Sequence, residues 1–296
     1  MYYLLCFIKS CFSASAGMFV KKYDKKAESI TQSAVAFNLM LAVFSLVYYF
    51  CTGITEESGV AYKSCVIGYA MLRAVGYVLG SFGYLMAVHT GPLFITIVIS
   101  ELGALIPILY SIFVYQEAVQ VQMILGMLLT FAALFVFNKK GKINTGMRKG
   151  YRLWVLMSFS GNGIAMLASK AQQHAQPGLY KSSMLFWSTL GIVVIFGIMA
   201  LINPPRYKDT VKPSALPALC VGIGWTALYT LSNASVNYLG TITVSKLPAI
   251  VYFMISTGFS IVLSFLMARF IFKEKLTKQQ YMGCAMALVA LCLLTL

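Results

Sequence analysis

An all-α integral membrane protein, with ten transmembrane helices as two inverted five-helix repeats, is the fold class the sequence predicts. Three observations carry it. Hydrophobic residues make up 59% of the 296 residues and charged residues 10%, with a mean hydropathy of +0.80. A soluble domain of that size has no interior large enough to hide so much apolar surface. The apolar runs are about twenty residues long, enough to cross ~30 Å of hydrocarbon at ~1.5 Å per residue. Third, one stretch occurs twice. Residues 83–137 and 240–294 align without a gap at an offset of 157, with matches at Gly83/Gly240, Leu109/Leu266, Phe113/Phe270, Glu117/Glu274, Gln122/Gln279 and Gly126/Gly283. Each copy is a long apolar run, a short polar elbow and a second apolar run, which reads as a duplicated membrane hairpin.

The elements follow in order. Helix 1 is predicted over 2–20 and ends in Lys-Lys-Tyr-Asp-Lys-Lys; helix 2 covers 30–51. Helix 3 runs over 62–88 and turns at His89-Thr90-Gly91-Pro92. Helix 4 runs to 115, helix 5 covers 119–137, and the longest basic loop joins the halves. Helix 6 is predicted over 153–173, helix 7 over 180–202, helix 8 over 215–238, helix 9 over 243–272 and helix 10 over 279–295. The first helices echo each other too: residues 13–22 align with 161–170. Five is odd, so two fused five-helix repeats must lie in opposite orientations, with a site expected near the midplane between them. The domains are then residues 1–138, a basic linker at 139–152, and residues 153–296.

The elbows read Tyr115-Gln116-Glu117…Gln122…Gly126 and Phe272-Lys273-Glu274…Gln279…Gly283. Those elbows, set twice within ten helices, and a Lys ending each repeat's first helix, resemble the drug/metabolite transporter superfamily in its EamA-type branch. The resemblance covers nearly the whole chain. Helix 1 departs from it in lacking a Trp-Gly, and helix 4 in carrying Glu101. It implies a secondary transporter, often an exporter of amino acids or small metabolites. Its cavity would be lined by helices 1–4 and 6–9, with helices 5 and 10 peripheral.

The net charge of +15 is a loop property rather than a nucleic-acid footprint, because lysines beside membrane helices read lipid headgroups and orientation. Loops after helices 1, 5, 7 and 9 hold seventeen Lys and Arg, and those after helices 2, 4, 6 and 8 hold four. The positive-inside rule puts both termini outside the cytoplasm, whereas the resemblance implies cytoplasmic termini. The seven cysteines form no CxxC pair or ligand cluster and read as small apolar packing residues. The N-terminus lacks a charged start and an A-x-A-like cleavage site, so it reads as a retained helix.

Charge is costly in hydrocarbon, so intramembrane polar groups are the pointers to function. Glu101 is the acidic residue set well inside a predicted helix, and Arg73 in helix 3 is its expected basic counterpart. The two could hold opposite ends of a zwitterion or form a structural pair. Lys9 is expected to snorkel. Helix 8 carries Trp225, Tyr229, Asn233 and Asn237 at i, i+4 spacing, a stripe that lines either a wet cavity or a helix contact. Asn38, Asn162, Trp187 and Tyr252 complete the candidate substrate-binding set. The serines of helix 9 (Ser256, Ser260, Ser264) and Gly76-xxx-Gly80 in helix 3 read as close helix packing. Lys246 reads as an interfacial anchor.

An enzyme would need a catalytic cluster. The chain holds two histidines, His89 and His174, with no HExxH and no paired intramembrane carboxylates, so no enzyme, metal or cofactor is expected. Without a Walker A motif, transport would run on a gradient. The expected function is a multi-pass cell-membrane (inner-membrane) permease or exporter of a small polar metabolite, an amino acid or related zwitterion, by alternating access. Two alternatives stay open: proton-coupled efflux of cationic drugs through Glu101, and a non-transporting scaffold or receptor. The expected partners are a small-molecule substrate, a proton as candidate coupling ion, and the bilayer; a homodimer is left open.

Overall fold

An apolar run of some twenty residues leaves its backbone N–H and C=O groups no partner but one another, and helix satisfies all of them locally. The computed structural model describes residues 2–11, 30–56, 62–90, 96, 99–138, 150–202, 231, 234–270 and 278–295, and among them there is no strand. The helices are α1 (Tyr2–Cys11), α2 (Ile30–Ile54), α3 (Ser64–Thr90), α4 (Ile99–Phe113), α5 (Val121–Asn138), α6 (Tyr151–Ala175), α7 (Lys181–Ile202), α8 (234–244), α9 (Ala249–Phe270) and α10 (Lys278–Thr295). Segments Phe37–Ile54, Ser64–Ala87 and Lys181–Ile202 are long and apolar enough to cross a bilayer.

Two boundaries differ from expectation in an informative way. His89 and Thr90, read as a turn, close α3, where Thr90 Oγ1 donates to the Met86 carbonyl at 2.7 Å. Helix 8, expected to stop at 238, continues to 244, so Gly240 lies inside it. That glycine serves a close approach rather than a turn, since a Cβ there would stand 2.8 Å from the Tyr252 hydroxyl.

The seam between α3 and α6 holds the bundle together. Gly76, Gly80 and Gly83 lie on one face of α3, and a Cβ at Gly76 would come within 2.6 Å of the Ala165 nitrogen. At Gly83 it would meet the Ser158 nitrogen at 2.8 Å, and Gly161 faces Gly80 from the other side. The reading of Gly76-xxx-Gly80 as packing agrees with this contact. The opposite side of α6 is equally close to α4, where a Cβ at Gly103 would lie 2.7 Å from the Phe159 carbonyl. Around this core α2 packs on α7, α5 on α10, and α9 on α4, α5 and α10. The α5–α10 pair meets through Ala133 and Ala287.

The distribution of polarity is inverted relative to a soluble protein. Val47, Phe50, Ile54, Phe135, Leu156 and Leu201 point outward, while Asn38, Arg73, Lys170, Gln172 and Gln173 are buried. That is compatible with a protein surrounded by lipid.

The seam predicts its own failure. Gly161→Val should cost about 3 kcal/mol or more, above the usual ~1–3 kcal/mol of overpacking because the clash is with backbone. Gly68 in α3 has open space around it, and Gly68→Ala should stabilise by about 0.5–1 kcal/mol through helix propensity. Thermal melting of both purified variants checks the pair of outcomes.

Candidate functional site

Arg73 sits one turn before Gly76, where the seam holds α3 rigidly. Its guanidinium is 4% exposed and donates to Ser188 Oγ of α7 at 2.9 Å and to Asn237 Oδ1 of α8 at 2.7 Å. The Tyr77 ring lies 5.9 Å away. Beside it is a cavity of about 10 Å³, room for a single water-sized group, walled by Ser45, Tyr49, Arg73, Tyr77, Thr189 and Asn237 among others. Tyr49 is buried and points its hydroxyl at the Ala234 carbonyl, 3.4 Å away.

Glu101 stands where α4 tightens into a 3₁₀ turn over Leu102–Ala104. The sequence cause is Pro107, which has no N–H to offer the Gly103 carbonyl four residues back and crowds it, so the turn winds tighter. The Glu101 carboxylate accepts from Thr257 Oγ1 of α9 at 3.3 Å. Lys9 is the cation whose field acts on it. Lys9 Nζ donates to Ser256 Oγ at 2.7 Å and lies 5.1 Å from the centre of the Tyr252 ring. Tyr252 is itself in the electrostatic reach of both Arg73 and Lys9. One region of the bundle therefore gathers buried Arg73 and Tyr252 with half-buried Asn237, Lys9 and Glu101.

Several expectations are corrected here. Arg73 is bonded to Ser188 and Asn237 rather than to Glu101. Lys9 turns inward on α9 rather than snorkelling, and Ser256, read as a packing residue, is its acceptor. Asn162 donates to Ser100 and lies against Gly80, a helix contact rather than a cavity wall. Trp187 lies in the first turns of α7, edge-on to Tyr62 and Phe186, among aromatics at the helix end. Asn38 is buried in α2. Lys246 lies exposed in the turn between α8 and α9. Trp225, Tyr229 and Asn233 lie outside the described residues, as do Glu274 and the side chains of Ser260 and Ser264.

The first elbow holds a second charged cluster. Glu117 caps not the helix that follows it but α9: the Ala249 N–H donates to its Oε2 at 2.7 Å. Its other oxygen takes Lys170 Nζ of α6 at 2.6 Å, and Lys170 also reaches the Leu247 carbonyl at 3.4 Å. Lys170 is 7% exposed and Glu117 19%. The elbow is shaped by Gln116 at a positive φ of 51°, and Tyr115 stacks on His174 at 3.8 Å. Burial, then Tyr110, Tyr69 and Glu117 nearby, push the Tyr115 phenol up to about 12. At this end Glu56, closing α2, accepts from the Ser182 N–H and the Tyr238 hydroxyl. The C-terminal ends of α2, α4, α6 and α8 thus gather with the N-terminal ends of α7 and α9.

No family model matches the chain, and no curated protein does. A solved structure described only as "Crystal structure of protein" is similar over 99% of this chain and 96% of its own, with a TM-score of 0.65 and 16% sequence identity. At that identity the likeness is one of fold.

The elbow cluster predicts a stability signature. Glu117→Gln should cost about 3 kcal/mol, because Lys170 is left buried without its partner. Adding Lys170→Met should recover at least about 1 kcal/mol of that, since the orphaned charge is removed with it. A double-mutant cycle by thermal or denaturant unfolding measures the coupling.

Proposed function

We propose that this protein is a secondary transporter of a small polar metabolite, an amino acid or related zwitterion, moved by alternating access between two inverted five-helix repeats. The observation that carries the reading is the cluster of buried Arg73 and Tyr252 with half-buried Lys9 and Glu101, inside a bundle whose outer face is apolar. Charges in such a place are costly to keep, and a solute pathway is the common reason for keeping them. The helix pairing supports the repeat. Contacts α2–α7, α4–α9 and α5–α10 each join a helix to its counterpart in the other half, as a two-fold axis in the membrane plane requires. The elbow resemblance to EamA-type transporters points the same way.

In this reading Arg73 and Glu101 hold opposite charges of the solute, and Tyr252 lies near Arg73 and Lys9. The Glu117 cluster closes one end of the pathway. That end carries the loops poor in Lys and Arg, so the positive-inside rule places it outside the cytoplasm.

The test is solute efflux from proteoliposomes across a pH series, for the wild type, Glu101→Gln and Arg73→Lys. Glu101→Gln should abolish transport of a zwitterion at every pH, and Arg73→Lys should weaken it because the planar fork is lost. Loss of pH dependence alone in Glu101→Gln, with Arg73→Lys unaffected, would instead favour proton-for-cation exchange. Normal transport by both variants would remove both mechanisms and leave a non-transporting scaffold or receptor.

A further inference from the structure

The guanidinium of Arg73 is in an unusual electrical position. It carries a full charge at 4% exposure, yet both hydrogen bonds shown for it run to neutral oxygens, Ser188 Oγ and Asn237 Oδ1. The acidic side chains among the described residues are engaged elsewhere: Glu56 with Ser182 and Tyr238, Glu101 with Thr257, and Glu117 with Lys170 and Ala249. A buried cation without a paired anion is costly, whereas Lys170 in the same bundle has its carboxylate.

A second observation lies on the opposite wall of the same cavity. Ser45 of α2 is 4% exposed, and its hydroxyl has no hydrogen-bond partner. Ser45 and Arg73 both line the space of about 10 Å³. Leaving a buried hydroxyl unmade forfeits its desolvation cost, so the wall offers one unused O–H donor and a guanidinium with N–H groups to spare. A neutral solute group would satisfy the serine but not the charge. A phosphate would bring a larger charge and three oxygens to a space the size of one.

We infer that the cavity between α2 and α3 is a carboxylate subsite, in which one oxygen of the solute's carboxylate accepts from Arg73 and from Ser45 Oγ. It rests on the transporter reading above and deepens it by naming the group that selects the solute. The space has room for one oxygen of that carboxylate. A solute lacking the free carboxylate brings Arg73 no anion and gains little from the site.

The probes are an equimolar mixture of the standard L-amino acids other than aspartate and glutamate, and the matching mixture of their C-terminal amides. Thermal melting of the purified full chain is read with each, for the wild type, Ser45→Ala and Arg73→Lys. The acid mixture should raise the melting temperature of the wild type and the amide mixture should not. Ser45→Ala, which removes one small group and keeps the fold, should weaken the acids about ten-fold. Arg73→Lys should weaken them further. An equal response to acids and amides, or an unchanged response of Ser45→Ala, overturns the subsite while leaving the transporter reading intact. No response to either mixture also overturns it; the transporter reading is then decided by the efflux assay.

Discussion

The approach of α3 to α6, backbone against backbone, is the constraint from which the rest of the structure follows. In lipid there is no hydrophobic gain in bringing two helices together, so close packing and interhelical hydrogen bonds must supply the association. Gly76, Gly80 and Gly161 allow that packing on one face of α6, and Gly103 with Gly163 allow it on the other. The charged groups hang from these contacts. Arg73 is three residues from Gly76, and Glu101 is two from Gly103. Ser158 and Asn162 bond Ser100 across the second contact. A side chain added to the seam would displace the site along with the helices.

Arg73 and Lys170, both buried, are treated differently by the fold. Lys170 meets Glu117 at 2.6 Å in a cluster that also caps α9. That cluster ties the elbow of the first half to two helices of the second. Arg73 is held by a serine and an asparagine, which fix its direction without neutralising it. Lys170 is tied into the architecture of the bundle, and Arg73 is the cation on which the proposed pathway relies.

Hydropathy made the helices legible, because a spanning run must be both long and apolar, and most boundaries fall within a few residues of expectation. It failed at Gly240, where a glycine placed for close approach to Tyr252 looks identical to one that ends a helix. Spacing along a helix gives height but not rotation. Arg73 and Glu101 therefore looked like partners, while α7 and α8, invisible to that arithmetic, supplied the groups Arg73 bonds. Lys9 was misread for a related reason, since a lysine in an apolar helix snorkels unless a neighbouring helix offers an acceptor such as Ser256. Glu117 caps a helix, but not the one that follows it in sequence. A carboxylate's preference for an N-terminus is chemical, whereas which N-terminus reaches it is set by the fold.

The outward apolar faces have a thermodynamic consequence. Val47, Phe50, Ile54 and Leu156 are stable where they stand only if hydrocarbon covers them, and in water such patches would drive the molecules together. Under the transporter reading, the folded state includes its amphiphile as a component. By mass action its melting temperature shifts with the length and concentration of the chains that wrap it. A free energy of unfolding belongs here to protein and solvent jointly, and two laboratories using different detergents would be measuring two different molecules.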